Sequence, residues 1–315
     1  MACAASAATT AIAQTPPWPS KPIRVIVSVP AGGSPDLAAR AITPGMSALL
    51  GQPVVVDNRG GAGGLIGAEL AAKATPDGYT LLATNAAPLV ILPLLHKQAP
   101  YNPARDFTPI SWISSGHTLL VTQPSRPFKT VKELIAQAKA APGKLDYASA
   151  GNGSVIHLTM ALFGNMAGVN LTHVAYKGAP QAFADVLGGH VTLMFAAMQL
   201  VLPHAKTERL RVLGVGSGKR VPQLPHIPTI SEAGVPGFEI TTWAGLLAPA
   251  GTPPAIVTRV QDAVAKVTRM PETRAQFEVQ GADPVGSSAA EFAALLRAEA
   301  ERYARAVKVA GLNAE

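Results

Sequence analysis

Short runs rich in β-branched residues alternate with segments of helical period along most of the chain, a pattern that predicts an α/β protein with mostly parallel sheet. Ile23-Arg24-Val25-Ile26-Val27 reads as a strand, Ala31-Gly32-Gly33-Ser34-Pro35 as a loop, and Asp36 to Leu50 as a helix with Asp36 near its start. A second strand, Val54-Val55-Val56, follows at once. Asn58-Arg59-Gly60-Gly61-Ala62-Gly63-Gly64 then leads into a helix from about Leu65, and Pro76-Asp77-Gly78-Tyr79 forms a turn before a strand over Thr80 to Thr84.

The rhythm resumes with Leu119-Leu120-Val121-Thr122, a helix from Val131, a strand near Leu145 to Ala148, a helix from Ser154 and a strand near Leu171 to Ala175. A further helix and strand fall within Pro180 to Phe195. Near the C-terminus, Ile256, Val257, Val260, Val264 and Val267 share one helical face, and Phe292, Leu295, Leu296, Ala300 and Tyr303 another. Both faces need a core to cover. The chain thus builds one α/β unit, then a second, and returns with helices, which predicts a discontinuous first domain, 18–118 with 241–315, around a second domain, 119–240. Thr108 to Leu120 and Phe238 to Ala248 are the expected crossings between them.

Composition narrows the class. At 315 residues and 48% hydrophobic content the chain can bury a full core, and 29 Gly with 28 Pro suit many tight connections. The net charge of +7 is spread from Lys21 to Lys308 with one adjacent basic pair, Lys219-Arg220, and no interleaved aromatics, so nucleic acid is not the expected partner. Residues 1–13 are small and weakly apolar and end in Ala11-Ile12-Ala13, the pattern signal peptidase cleaves, although no Lys or Arg precedes the apolar run. They are expected to be the remnant of a signal peptide whose start is truncated. The single cysteine, Cys3, lies in that segment, so the mature chain is expected to lack thiols.

Catalytic and cofactor readings fail on spacing. Gly151-Asn152-Gly153-Ser154-Val155 places Ser after a G-x-G rather than between flanking glycines, so it is not a nucleophile elbow. Gly214-Val215-Gly216-Ser217-Gly218-Lys219 has Leu213 where a phosphate loop needs its first Gly and Arg220 where it needs Ser or Thr. The glycines at 60–67 miss the dinucleotide spacing, and the seven histidines have no metal-ligand spacing. No enzyme activity, metal or cofactor is expected. His157, one turn into its helix, is expected to pack or cap, and Trp18, Trp112 and Trp243 to pack in core or hinge.

Two Gly-rich strand-to-helix loops remain, Pro30-Ala31-Gly32-Gly33-Ser34 and Ser149-Ala150-Gly151-Asn152-Gly153-Ser154. Glycine lets backbone N–H groups at a helix N-terminus approach an anion, and ligands of open α/β sheets bind beyond the strands' carboxyl ends. Two such loops facing each other would hold a carboxylate without arginine. Ordinary turns are the alternative that spacing alone leaves open.

In serial order the chain also carries Trp18-Pro19-Ser20-Lys21-Pro22-Ile23, Gly32-Gly33-Ser34-Pro35-Asp36, the 58–64 loop, Pro76-Asp77-Gly78-Tyr79-Thr80, Tyr147 to Ser154 with His157-Leu158, Tyr176-Lys177-Gly178, Pro228-Thr229-Ile230 and Ala248-Pro249-Ala250-Gly251-Thr252-Pro253. In these it resembles the Bug family, the periplasmic substrate-binding subunits of tripartite tricarboxylate transporters, over nearly its whole mature length. The resemblance implies a two-lobed type II periplasmic-binding-protein clamshell, each lobe a mainly parallel sheet flanked by helices. It implies an exported periplasmic monomer that binds a small carboxylate and passes it to an inner-membrane permease, or reports it to the periplasmic domain of a sensor; a secreted hydrolase is the remote third class. Carried over residue by residue, the binding set is Ala31, Gly32, Gly33, Ser34, Ser149, Ala150, Asn152, Gly153 and Ser154, with Asn85 a weaker addition. The chain departs from the family pattern at Ser28, Val29 and Pro35 and in Met194-Phe195-Ala196-Ala197, so the ligand of a relative does not transfer directly.

Overall fold

The computed structural model describes residues 18–95, 100–205 and 207–309. The expected export segment lies outside the described residues. The first lobe opens with β1 (Ile23–Val27), α1 (Ser34–Leu50), β2 (Val54–Asn58), α2 (Leu65–Ala72) and β3 (Thr80–Thr84). A π-turn over Ala87–Ile91 and two short helices, α3 (Leu92–Leu95) and α4 (Pro103–Asp106), lead to the long strand β4 (Phe107–Thr122). The second lobe follows: α5 (Val131–Ala140), β5 (Asp146–Ser149), α6 (Val155–Ala167), β6 (Thr172–Ala175), α7 (Ala179–Gly188), β7 (Leu193–Ala197), α8 (Met198–Ala205) and β8 (Arg211–Val215). The chain returns on β9 (Thr241–Pro249) and closes with α9 (Pro254–Val267), α10 (Pro271–Val279), β10 (Ala282–Pro284) and α11 (Ala289–Val309).

β2, β1 and β3 pair in parallel, as do β6, β5 and β7, which places the loops after β1 and β5 at comparable ends of their sheets. Every pairing of β4 and β9 is antiparallel, because a strand leaving one lobe must run against the strand that returns. The two strands pair from Phe107↔Pro249 to His117↔Thr241, with register shifts between Pro109 and Ser111 and between Trp112 and Ser114. Proline has no N–H for the ladder, and such irregularities add twist to a crossing strand.

Apolar positions explain the packing. Val25, Val27, Leu81 and Ala83 of the sheet are buried with Ile42 and Met46 of α1 and Val260, Val264 and Val267 of α9, the face expected from its spacing. In the second lobe Leu119, Val121, Met194 and Ala196 are buried with Val186 of α7 and Val201 of α8. α11 packs on β4 and also reaches α6 of the second lobe, with Phe292 and Tyr303 fully buried.

Several boundaries differ from expectation. α1 starts two residues earlier because Pro35 is accommodated in the first turn, where its missing N–H has no helical acceptor. α10 carries only Thr273 and Phe277 as buried positions, too few to produce a periodic signal. The glycine-rich run from Gly214 ends β8 and passes behind the crossing: Gly216 donates its N–H to Thr118 O at 2.7 Å, and its carbonyl accepts from Ile240 N–H at 2.8 Å. No helix follows it directly, consistent with rejecting a phosphate loop.

Candidate ligand-binding site

Between the lobes lies a cavity of about 90 Å3. The first lobe contributes Ser28, Val29, Pro30, Gly33, Ser34 and Pro35 from the β1–α1 connection, with Asn85 after β3. The second contributes Ala150, Ser154, Val155 and Ile156 from the start of α6, Lys177 to Pro180 after β6, and Ala197 with Leu200. Thr118, Thr242 and Trp243 of the crossing strands form the back. The N-termini of α1 and α6 therefore face one space from opposite lobes.

The hydrogen bonds decide which backbone donors remain available there. Gly32 N–H donates to Asp36 Oδ2 at 2.8 Å, and Gly33 N–H donates to Pro30 O at 3.1 Å. The buried Asp36 carboxylate also accepts from Arg40 Nε and from Asn58 Nδ2, each at 2.9 Å. In the second loop, Gly151 N–H donates to Ser149 Oγ at 3.1 Å, Gly153 N–H to His157 Nδ1 at 3.2 Å and Ser154 N–H to Gly151 O at 3.2 Å. Ser154 Oγ in turn caps α6 by accepting His157 N–H at 3.2 Å. Among the described residues no protein acceptor meets Ser34 N–H in α1 or the Val155 and Ile156 N–H groups in α6, as expected for first-turn donors. Ser34, Val155 and Ile156 line the cavity with these donors unpaired, whereas the amides of Gly32, Gly33, Gly151 and Gly153 are bonded within their own loops.

Of the residues proposed from sequence, Gly33, Ser34, Asn85, Ala150 and Ser154 line the cavity, whereas Ala31, Gly32, Ser149, Asn152 and Gly153 do not. Asn152 is exposed at the outer lip, beside Gly61 and Tyr176. Ser149 is fully buried and shares a 2.6 Å hydrogen bond with His173 Nε2. Gly153 has a φ of +71°, and a Cβ there would stand 2.2 Å from Leu92 Cδ2 of the opposite lobe, so this glycine is a lobe-to-lobe contact. Gly32 also has a positive φ, +82°, a conformation in which its N–H is satisfied by the Asp36 carboxylate.

A stack of rings supports the second loop from behind. Tyr147 lies 4.9 Å from His173, and His173 lies 4.1 Å from His157, centroid to centroid, with nearly parallel planes. Burial first, and then the neighbouring His157, hold His173 far below the ordinary imidazole range, at about 4. Burial also lowers His157. A neutral His157 fits its Nδ1 acting as acceptor for Gly153 N–H. His157 thus packs, as expected, but its stacking on His173 was not foreseen from sequence.

Trp243, Thr118 and Lys177 join the wall although the sequence reading did not propose them as binding residues. Trp243 packs at the crossing and also lines the cavity, its indole fixed by a 2.9 Å hydrogen bond from Nε1–H to the buried Glu299 Oε2. Thr118 is buried in the same wall, its hydroxyl unpartnered among the described residues. Lys177, exposed and free of any ion pair among the described residues, adds a cation to the lining from outside the two Gly-rich loops. Ser28, one of the departures from the family pattern, shares a 2.7 Å hydrogen bond with Thr84 and lies in the wall beside Val29.

Comparison with known proteins agrees with this architecture. Residues 38–312 match the family described as tripartite tricarboxylate transporter family receptor. Protein BugT of Bordetella pertussis is 36% identical over 295 residues, 93% of this chain and 90% of that protein. Among solved structures, R. palustris Rpa4515 with adipate is 35% identical with a TM-score of 0.91, covering 95% of this chain and 100% of that one. MatC from Rhodopseudomonas palustris with bound malate is 30% identical with a TM-score of 0.87, covering 92% of this chain and 100% of that one. A family match over most of the length, on a two-lobed fold shared with periplasmic binding proteins, establishes that this chain belongs to the tripartite tricarboxylate transporter receptors of the Bug type.

Proposed function

We propose that the protein captures a small organic carboxylate in the periplasm and delivers it to an inner-membrane transporter of the tripartite tricarboxylate type. The observation that carries this reading is the convergence of two helix N-termini on one enclosed space, with first-turn N–H groups at Ser34, Val155 and Ile156 left without protein acceptors. Free N–H groups and the positive ends of two helix dipoles favour an anion. Ser34 and Ser154 add hydroxyls beside them, while Val29, Pro30, Val155, Ile156, Leu200 and Trp243 suit an apolar ligand body. Adipate in one solved relative and malate in another support a carboxylate as the anion.

On this reading the lobes are 18–118 with 241–315 and 119–240, and they close about β4 and β9. Hinge motion suits two paired strands, since each lobe keeps its own core. Thermal-shift measurements with acetate, succinate, malate, adipate, benzoate and citrate test the proposal. An acid that binds only the folded state raises its stability by about 2.7 kcal/mol at a hundred times its Kd. At least one of the six is expected to raise the melting temperature in proportion to the logarithm of its concentration. No shift with any of them would overturn the reading.

A further inference from the structure

The closed cleft is bridged by a hydrogen bond whose two ends belong to different lobes. Gln199, in the first turn of α8, donates from Nε2 to the Oγ of Ser34, the first residue of α1. Apart from the bond between His117 and Ser217 beside the strand crossing, it is the one side-chain hydrogen bond among the described residues that joins the two lobes. Ser34 lines the ligand cavity and Gln199 does not; the glutamine sits behind it, in a narrow crevice shared with Ser114 to Gly116 of β4.

A hydroxyl has one proton to donate and lone pairs with which to accept. In this arrangement Gln199 occupies a lone pair of Ser34, and no protein acceptor among the described residues takes the Ser34 hydroxyl proton. That proton, like the Ser34 backbone N–H, is therefore free for whatever fills the cavity. We infer that Gln199 is a positioning residue: it fixes Ser34 as a hydrogen-bond donor to the bound anion and, because it arrives on the other lobe, makes that donor complete only when the cleft is closed. The inference rests on the carboxylate-receptor reading. Each of the two hydrogen bonds through Ser34 polarises the other, so ligand and closure strengthen one another. An open cleft leaves the hydroxyl to rotate in water.

A double-mutant cycle tests this with the full chain and the tightest-binding of the six acids named above. Gln199→Met keeps the length of the side chain and removes its donor, and Ser34→Ala removes the hydroxyl. Each single variant is expected to weaken binding by about tenfold, the scale of one neutral hydrogen bond in an enclosed site. The double variant should bind no more weakly than Ser34→Ala, because Gln199 acts through that hydroxyl. Stopped-flow should place the Gln199→Met effect in a faster off-rate, with the on-rate and the ligand-free melting temperature unchanged. Unchanged affinity in Gln199→Met, or losses that multiply to about a hundredfold in the double variant, would overturn the inference. Should Ser34→Ala fail to fold, the off-rate of Gln199→Met alone still decides it. Failure of the wild-type protein to bind any of the six acids would instead overturn the carboxylate reading itself.

Discussion

Replacing Gly153 by alanine adds one methyl group and puts two separable effects on one residue. The first is backbone strain: at a φ of +71° a residue with a Cβ costs roughly 1–2 kcal/mol, in the open and closed protein alike. The second arises only on closure, because the new methyl would stand 2.2 Å from Leu92 Cδ2, 3.4 Å from Leu92 Cγ and 3.6 Å from Leu95 Cδ1 on the other lobe. Leu92 is buried and held by its neighbours, so it has little room to give. Relieving such a contact by holding the lobes apart should weaken ligand binding by about 1–3 kcal/mol, roughly five- to 150-fold in Kd.

Gly32 supplies the control. Its φ of +82° carries similar strain, but a Cβ there would meet only Pro180 Cγ at 3.6 Å, an ordinary contact. Denaturant unfolding without ligand should therefore show similar losses for Gly153→Ala and Gly32→Ala, while calorimetric titration shows the large loss of affinity for Gly153→Ala alone. Leu92→Ala added to Gly153→Ala should recover most of the affinity despite its own cost in stability. Parental affinity in Gly153→Ala, or no recovery with Leu92→Ala, would refute the assignment of this glycine to lobe contact.

Other consequences follow from the same geometry. An unfolded chain protonates histidine near 6.5, whereas folded His173 resists protonation down to about 4. Between those values the unfolded state binds more protons, so stability is full above about 6.5 and falls as pH drops towards 4; melting temperatures across that range should show it, and His173→Phe should reduce the slope. Lys177→Met should lower affinity for succinate or adipate by up to about fivefold while sparing acetate, since an exposed ion pair is worth at most about 1 kcal/mol. Added salt should likewise weaken dicarboxylates more than monocarboxylates, whose contacts at the helix ends are poorly screened. Ser154→Ala, which removes the cap from α6, should cost about 1 kcal/mol of stability in denaturant unfolding; no loss would argue against the cap.

The alternation of strand and helix was legible because most buried strands are followed by a connection marked with Gly, Ser or Pro, and Ile23–Val27 before Gly32-Gly33 shows how directly the cleft loops follow from that punctuation. What remained hidden depends on contacts distant in sequence. Which amides stay free is set by Asp36 turning back on Gly32 and by His157 accepting from Gly153, so the glycines read from sequence as anion donors are bonded within their own loops. Trp243 and Thr118 lie on strands whose apolar character reads as core, and only the meeting of the lobes exposes them to a cavity. Gln199 carried no local signal, because its partner Ser34 lies 165 residues away. α10 and β8 were missed for a related reason: one buries too few apolar residues, and the other ends in glycines that resemble a turn.

The most direct test is a crystal structure of the protein with the tightest-binding of the six acids. One carboxylate group should lie between the ends of α1 and α6, within about 2.7–3.1 Å of the Ser34 N–H and hydroxyl and of the Val155 or Ile156 N–H. A carboxylate held away from both helix ends, on Lys177 alone or outside the cleft, would contradict the account.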